Sequence, residues 1–108
     1  MTVKALAEAL ALRPLASPED DREIVGAYVG DLLSWVMGRA KADNVWVTIM
    51  TNLNVVAVAS LADVSLVIIA EEAEIEPSVV AKAESQGVNL YTSPLTSYEL
   101  AAKIASLI

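Results

Sequence analysis

From Asn44 onward, short β-type runs alternate with short helical segments, and that alternation restricts the fold more than anything else in the chain. Val45-Trp46-Val47-Thr48-Ile49-Met50 is rich in β-branched residues. Ser65-Leu66-Val67-Ile68-Ile69-Ala70 is a continuous apolar run, as expected of a strand covered on both faces of a parallel sheet. Val88-Asn89-Leu90-Tyr91-Thr92 is the third such run. Between and after them, helical patterns cover 53–62, 77–86 and the segment from Thr96 on. Thr51 or Asn52 caps the first, Pro77 opens the second and Gly87 stops it. Thr96-Ser97-Tyr98-Glu99 has the capping-box spacing. Strands alternating with helices predict βαβ units. The expected class is therefore α/β, a three-layer-like domain with a mostly parallel sheet of short β-α units.

A helix and an edge strand precede these units. Thr2 caps a first helix with Val3, Leu6, Ala7 and Leu10 at helical spacing, ending near Ala11. Leu12 to Ala16 contains Pro14, which suits an edge strand. After the acidic turn Ser17 to Asp21, Arg22 to Val29 reads as a strand with both faces covered. Gly30 ends it, and Asp31 is placed to cap a helix with Leu32, Leu33, Val36, Met37 and Ala40 as its apolar stripe. No repeat or linker interrupts the pattern, so 1–108 reads as one domain.

Composition narrows function. The 108 residues carry 14 acidic against 7 basic side chains, a net charge of −7. Nucleic acid and anionic membranes are therefore not expected partners. No cysteine or histidine is present. That excludes disulfides, thiolate nucleophiles, Cys/His zinc sites and a Ser-His-Asp triad. No apolar run reaches a membrane span and no signal-peptide core is seen, so a cytoplasmic location is expected. Hydrophobic residues make up 56% of the chain, mostly alanine and valine. The helix 53–62 is apolar nearly all round, more than one small subunit easily hides, which predicts a homodimer.

Residues that could carry chemistry fall into a few sets. Gly26-Ala27-Tyr28-Val29-Gly30 lies between strand and helix, but no P-loop lysine follows it and it lacks the dinucleotide fingerprint. Glu71, Glu72, Glu74 and Glu76 follow a strand and read as a solvated acidic loop that favours the next helix N-terminus. No metal site and no cofactor are expected. Asp31, Ser34, Arg39, Thr48, Thr51 and Asn54 are the candidate ligand-binding residues, lining a pocket if the two turns share one sheet edge. Ile24, Tyr28, Trp35, Val55, Val58 and Ala59 are the candidate dimer interface. No catalytic residue is assigned.

The stretch Asp21 to Ala40, together with Val45 to Ala59, resembles DRTGG-domain proteins, above all in Tyr28-Val29-Gly30-Asp31-Leu32-Leu33-Ser34-Trp35-Val36-Met37-Gly38. It is most similar to stand-alone bacterial members of that family, and the likeness runs to the last helix. The naming motif is degenerate: Asp21-Arg22 is present, and Val25-Gly26-Ala27 stands where Thr-Gly-Gly is expected. The resemblance implies an α/β fold and a regulatory or dimerising module of the kind that accompanies phosphotransacetylases and CBS-domain pyrophosphatases. The resulting expectation is a non-catalytic regulatory homodimer. The alternative is a sensing domain for a small ligand, with an adenine nucleotide the class that the resemblance suggests. A weaker alternative is a metal-dependent phosphate enzyme or a subunit like the HPr serine kinases, although the P-loop of such kinases is missing.

Overall fold

The structure, a computed structural model, describes residues 1–108. Its strands are β1 (Arg13–Ala16), β2 (Ala27–Val29), β3 (Val45–Thr48), β4 (Leu66–Ile69) and β5 (Leu90–Thr92). They form one five-stranded sheet of order β1-β5-β4-β3-β2. β2 to β5 are parallel, and β1 adds to β5 antiparallel at the far edge, where Pro14 can sit. The helices are α1 (Val3–Leu10), α2 (Leu33–Arg39), α3 (Leu53–Ala62), α4 (Pro77–Ser85) and α5 (Ser97–Leu107). None is long and apolar enough to cross a membrane.

From β2 to β5 the strand order steps in one direction. Crossovers of one hand then deliver α2, α3 and α4 to the same face. There they pack on Trp46, Val67, Ile69 and Leu90. The opposite face is left for α1 and α5, which cover Val45, Val47, Leu66, Ile68 and Tyr91. The side-chain alternation of a strand thus divides β3 and β4 between two apolar layers. This is why β4 can be apolar at every position, and the α/β three-layer expectation is met. Because the parallel strands never reverse their order, the sheet lacks the crevice that opens at a strand-order switch.

Local signals act where they were read. The Thr2 hydroxyl accepts from the Ala5 N–H at 3.1 Å, and the Asn52 side chain accepts from the Asn54 N–H at 2.9 Å. Thr96 and Glu99 close a reciprocal capping box. Gly87, at φ +73°, turns the chain past α4.

Several expectations need correction. The strand predicted over 22–29 shortens to β2, an edge strand whose Ala27 and Val29 are exposed, so its faces are not both covered. Residues 22–26 form a loop, because Arg22 turns aside to ion-pair and Gly26 takes φ +74°. Helix α3 is not buried all round: Leu53 and Leu61 are 50% and 73% exposed, since only one side of it meets the sheet. Leu32 and Met37 of the predicted α2 stripe are also exposed, and Val36 carries the burial. Of the candidate interface residues, Ile24, Val55, Val58 and Ala59 are buried within the chain's own core and cannot meet a partner. Tyr28 is half-buried and Trp35 is 54% exposed.

The backbone at Gly26 explains why a glycine stands there. At φ +74° a Cβ would be strained, and it would sit 3.1 Å from Asn44 Nδ2. That amide cannot retreat freely, because it donates to the Val25 carbonyl at 2.7 Å while its Oδ1 accepts from the Lys41 N–H. Gly26→Ala is expected to lower stability by about 1–2 kcal/mol, read from the midpoint of urea unfolding.

Candidate functional site

Ligands in parallel α/β sheets commonly meet the carboxyl ends of the strands. At the end of β2, Asp31 does not cap α2; the N-cap is Leu32, which makes no side-chain cap bond. The Asp31 carboxylate crosses to β3 instead. Its Oδ1 accepts from the Thr48 hydroxyl at 2.8 Å and from the Ile49 N–H at 2.9 Å. Thr48 Oγ1 in turn accepts from the Met50 N–H at 3.1 Å. Beneath this, the Trp46 indole N–H donates to the Gly30 carbonyl at 2.8 Å. Asp31 and Thr48 therefore do come together, but as a clasp between β2 and β3. Thr48 is fully buried and faces no solvent.

At the ends of β4 and β5 the backbone closes on itself. The Glu71 and Glu72 N–H groups donate to the Leu95 and Ser93 carbonyls, each at 2.9 Å. Glu71, Glu72, Glu74 and Glu76 all point to solvent, and three acidic side chains nowhere converge as a metal-ligating group.

The open space lies one layer out, between α2 and α3. A cleft of about 490 Å³ is lined by Leu33, Ser34, Met37, Asn54, Ala57 and Val58. This is within the size of small-molecule sites, and its composition is typical of them: apolar walls with few polar groups. Of the six predicted ligand residues, Ser34 and Asn54 meet here. Asp31 and Thr48 do not line the cleft, nor does Thr51, which is half-buried in the turn before α3. Arg39 stands over the Trp35 ring at 4.0 Å from its centroid, a cation–π pair on the surface of α2. The apolar wall residues Leu33, Met37 and Ala57 were missed as site residues, and Val58 was named only for the dimer interface. In sequence they are indistinguishable from core.

Arg22 organises the opposite, amino-terminal ends of β3 and β4. Its guanidinium donates to Asp43 Oδ1 at 3.0 Å, Asp63 Oδ1 at 2.8 Å and the Asp63 carbonyl at 2.7 Å. Partial burial alone would lower its pKa. The hydrogen bonds and charges of Asp43 and Asp63 outweigh that and hold it above its ordinary value. Both aspartates have left-handed backbones, φ 66° and 59°. Arg22 is thus structural: it pins the two turns that lead into β3 and β4.

No family model matches the chain, and no curated protein matches it. Among solved structures, it is similar to the CBS and DRTGG domains of the regulatory region of Clostridium perfringens pyrophosphatase, which was solved with the activator diadenosine tetraphosphate. The TM-score is 0.71 at 12% identity, over 95% of this chain and 45% of that one. The chain thus spans less than half of the structure it matches. What the two share is the fold: this chain has an α/β architecture found in that regulatory region.

Proposed function

We propose that this chain is a non-catalytic regulatory module that self-associates and offers the α2–α3 cleft to a small ligand. The observation that carries the reading is the cleft itself, about 490 Å³ of open, mostly apolar space whose lining includes two of the six candidate residues, Ser34 and Asn54. Such a site suits a flat, largely apolar group that takes hydrogen bonds at one edge. An adenine ring has that chemistry. The similar regulatory region was solved with a diadenosine activator, which supports the same choice. The non-catalytic reading rests on the occupied state of Asp31 and the solvated state of the acidic loop. Self-association is supported by exposed large apolar side chains on α2 and its N-cap, Leu32 at 61% and Trp35 at 54%.

The test is thermal unfolding with AMP, ATP and diadenosine tetraphosphate. A ligand at ten times its Kd adds about 1.4 kcal/mol of stability, enough to raise the midpoint by several degrees. Asn54→Ala, at an exposed position of the first turn of α3, is expected to remove most of that rise while leaving the unliganded midpoint within about 1 °C. No shift with any of the three nucleotides overturns the nucleotide assignment.

A further inference from the structure

The two edges of the sheet differ in kind. A free edge presents unpaired N–H and C=O groups, and proteins guard such edges with charge, proline, bulges or covering elements. β1 has all of these: Arg13, Pro14, a register irregularity between Pro14 and Ala16, and α4 packed along it. β2 has none. From Val25 to Gly30 the chain contains no charged residue and no proline.

The hydrogen bonds define which groups are left over. The Val45 N–H donates to the Gly26 carbonyl and the Gly30 N–H to the Val47 carbonyl, each at 3.1 Å. Even-numbered positions therefore face β3. The alternation of a strand then turns the main-chain groups of Ala27 and Val29 outward. From this geometry we infer that β2 pairs antiparallel with β2 of a second copy of this chain, making one continuous sheet through a two-fold axis at Tyr28.

The arrangement is self-complementary, as a two-fold interface must be. Ala27 exchanges its N–H and C=O with Val29 of the second copy, and Val29 does the same with Ala27. Tyr28 then faces its own symmetry mate as a non-hydrogen-bonded pair, with Cα atoms about 4.5 Å apart. The edge itself carries no charge from Val25 to Gly30, which suits an equally uncharged strand. Each chain has a net charge of −7, so two copies approach best where carboxylates are neutralised. Of those flanking β2, Glu23 pairs with the N-terminal amine and Asp43 with Arg22, while Asp31 is held by hydrogen bonds from Thr48 and Ile49 and keeps its charge. The apolar surface continues on both sides of the edge. An apolar hollow of about 200 Å³ joins Val29 to Ala105 and Ile108 of the α5 end, and Leu32 lies exposed just before α2. A standard interface takes about 800 Å² per partner. That is roughly one-seventh of this chain's 5531 Å² surface, which the edge and its flanking helices can supply.

The inference rests on the self-association proposed above and adds the surface that mediates it. The experiment is sedimentation velocity at low micromolar concentration, combined with cysteine cross-linking in a chain that has no cysteine of its own. The unaltered chain is expected to sediment as a dimer. Val29→Lys, at a 45% exposed position, is expected to weaken it at least tenfold while the far-UV spectrum stays unchanged. Tyr28→Cys is expected to form an interchain disulfide under mild oxidation, because the paired Cα separation falls within disulfide range. Tyr98→Cys, at an 82% exposed site on α5, is the control and should cross-link far more slowly. A dimer that survives Val29→Lys, with Tyr28→Cys no faster than the control, overturns the edge pairing and leaves self-association through another face. A monomeric unaltered chain overturns both.

Discussion

Trp46→Ala is expected to cost about 3–5 kcal/mol, the range for removing a large aromatic from a packed core. Trp46 is wholly buried on β3, on the sheet face covered by α2, α3 and α4. Its neighbours in that layer, among them Val36, Val55 and Val67, are too small and too constrained by their own elements to refill the space. The indole also reaches sideways, because its N–H holds the Gly30 carbonyl at 2.8 Å. Truncation therefore empties a cavity and loosens the end of β2. Trp46→Phe separates the two effects: it keeps most of the bulk, drops the donor, and should cost about 1–2 kcal/mol more than the volume change alone. Urea unfolding followed by the fluorescence of Trp35 measures both variants, since Trp35 lies outside the core. Hydrogen exchange at Gly30 should quicken in both. Small domains have only about 5–15 kcal/mol of total stability, so the alanine variant is expected to lose a large fraction of it.

Trp46 also shows how unevenly the sequence reveals the structure. Its place in a strand was legible, because Val45 to Thr48 are β-branched or aromatic at every position. The same holds for the all-apolar β4, and for the helix starts at Thr2, Asn52, Pro77 and Thr96, where one local hydrogen bond or ring decides the matter. β2 was read too long. Arg22 to Val29 alternates weakly as a strand, and nothing local reveals that Arg22 is drawn to Asp43 and Asp63, 21 and 41 residues away. Asp31 failed in the same way. Its spacing suits a cap, yet the Thr48 hydroxyl and Ile49 N–H, supplied by β3, bind it instead. Val55, Val58 and Ala59 looked surplus on an all-apolar helix, but they are the side that meets the sheet; Leu53 and Leu61 carry the exposure. In the cleft, Ser34 and Asn54 were visible because a polar residue beside an apolar stripe stands out. Its walls were not, since Leu33 and Val58 become pocket residues only through the angle at which two helices part.

Arg22→Ala is expected to cost about 2–3 kcal/mol, although every ion pair it removes is partly solvated. Exposed pairs contribute little, and the Asp43 and Asp63 side chains are 48% and 67% exposed, so Coulomb attraction alone would not reach that figure. The additional cost comes from what the guanidinium holds. It donates to the Asp63 carbonyl at 2.7 Å, where α3 ends in a left-handed turn, and to Asp43, also left-handed, in the turn before β3. Charge-assisted bonds of this kind contribute about 1.5–3 kcal/mol each at most, and here they are not independent. Without the arginine, two carboxylates are left near one another beside strained backbones. Arg22→Lys supplies one point charge and lacks the fork that reaches Asp43, Asp63 and the carbonyl together, so it should recover less than half of the loss. The pH dependence has a definite sign. A pKa held above its ordinary value means that the arginine's contribution is fully present below that value and lost only in strong alkali. The difference between the unaltered chain and Arg22→Lys should therefore stay constant from neutral pH to about pH 10. Urea midpoints taken across that range check this, and the midpoints of Asp43→Asn and Asp63→Asn separate the partners: if neither substitution lowers stability, the carboxylates leave the explanation and the Asp63 carbonyl remains as the group that Arg22 serves.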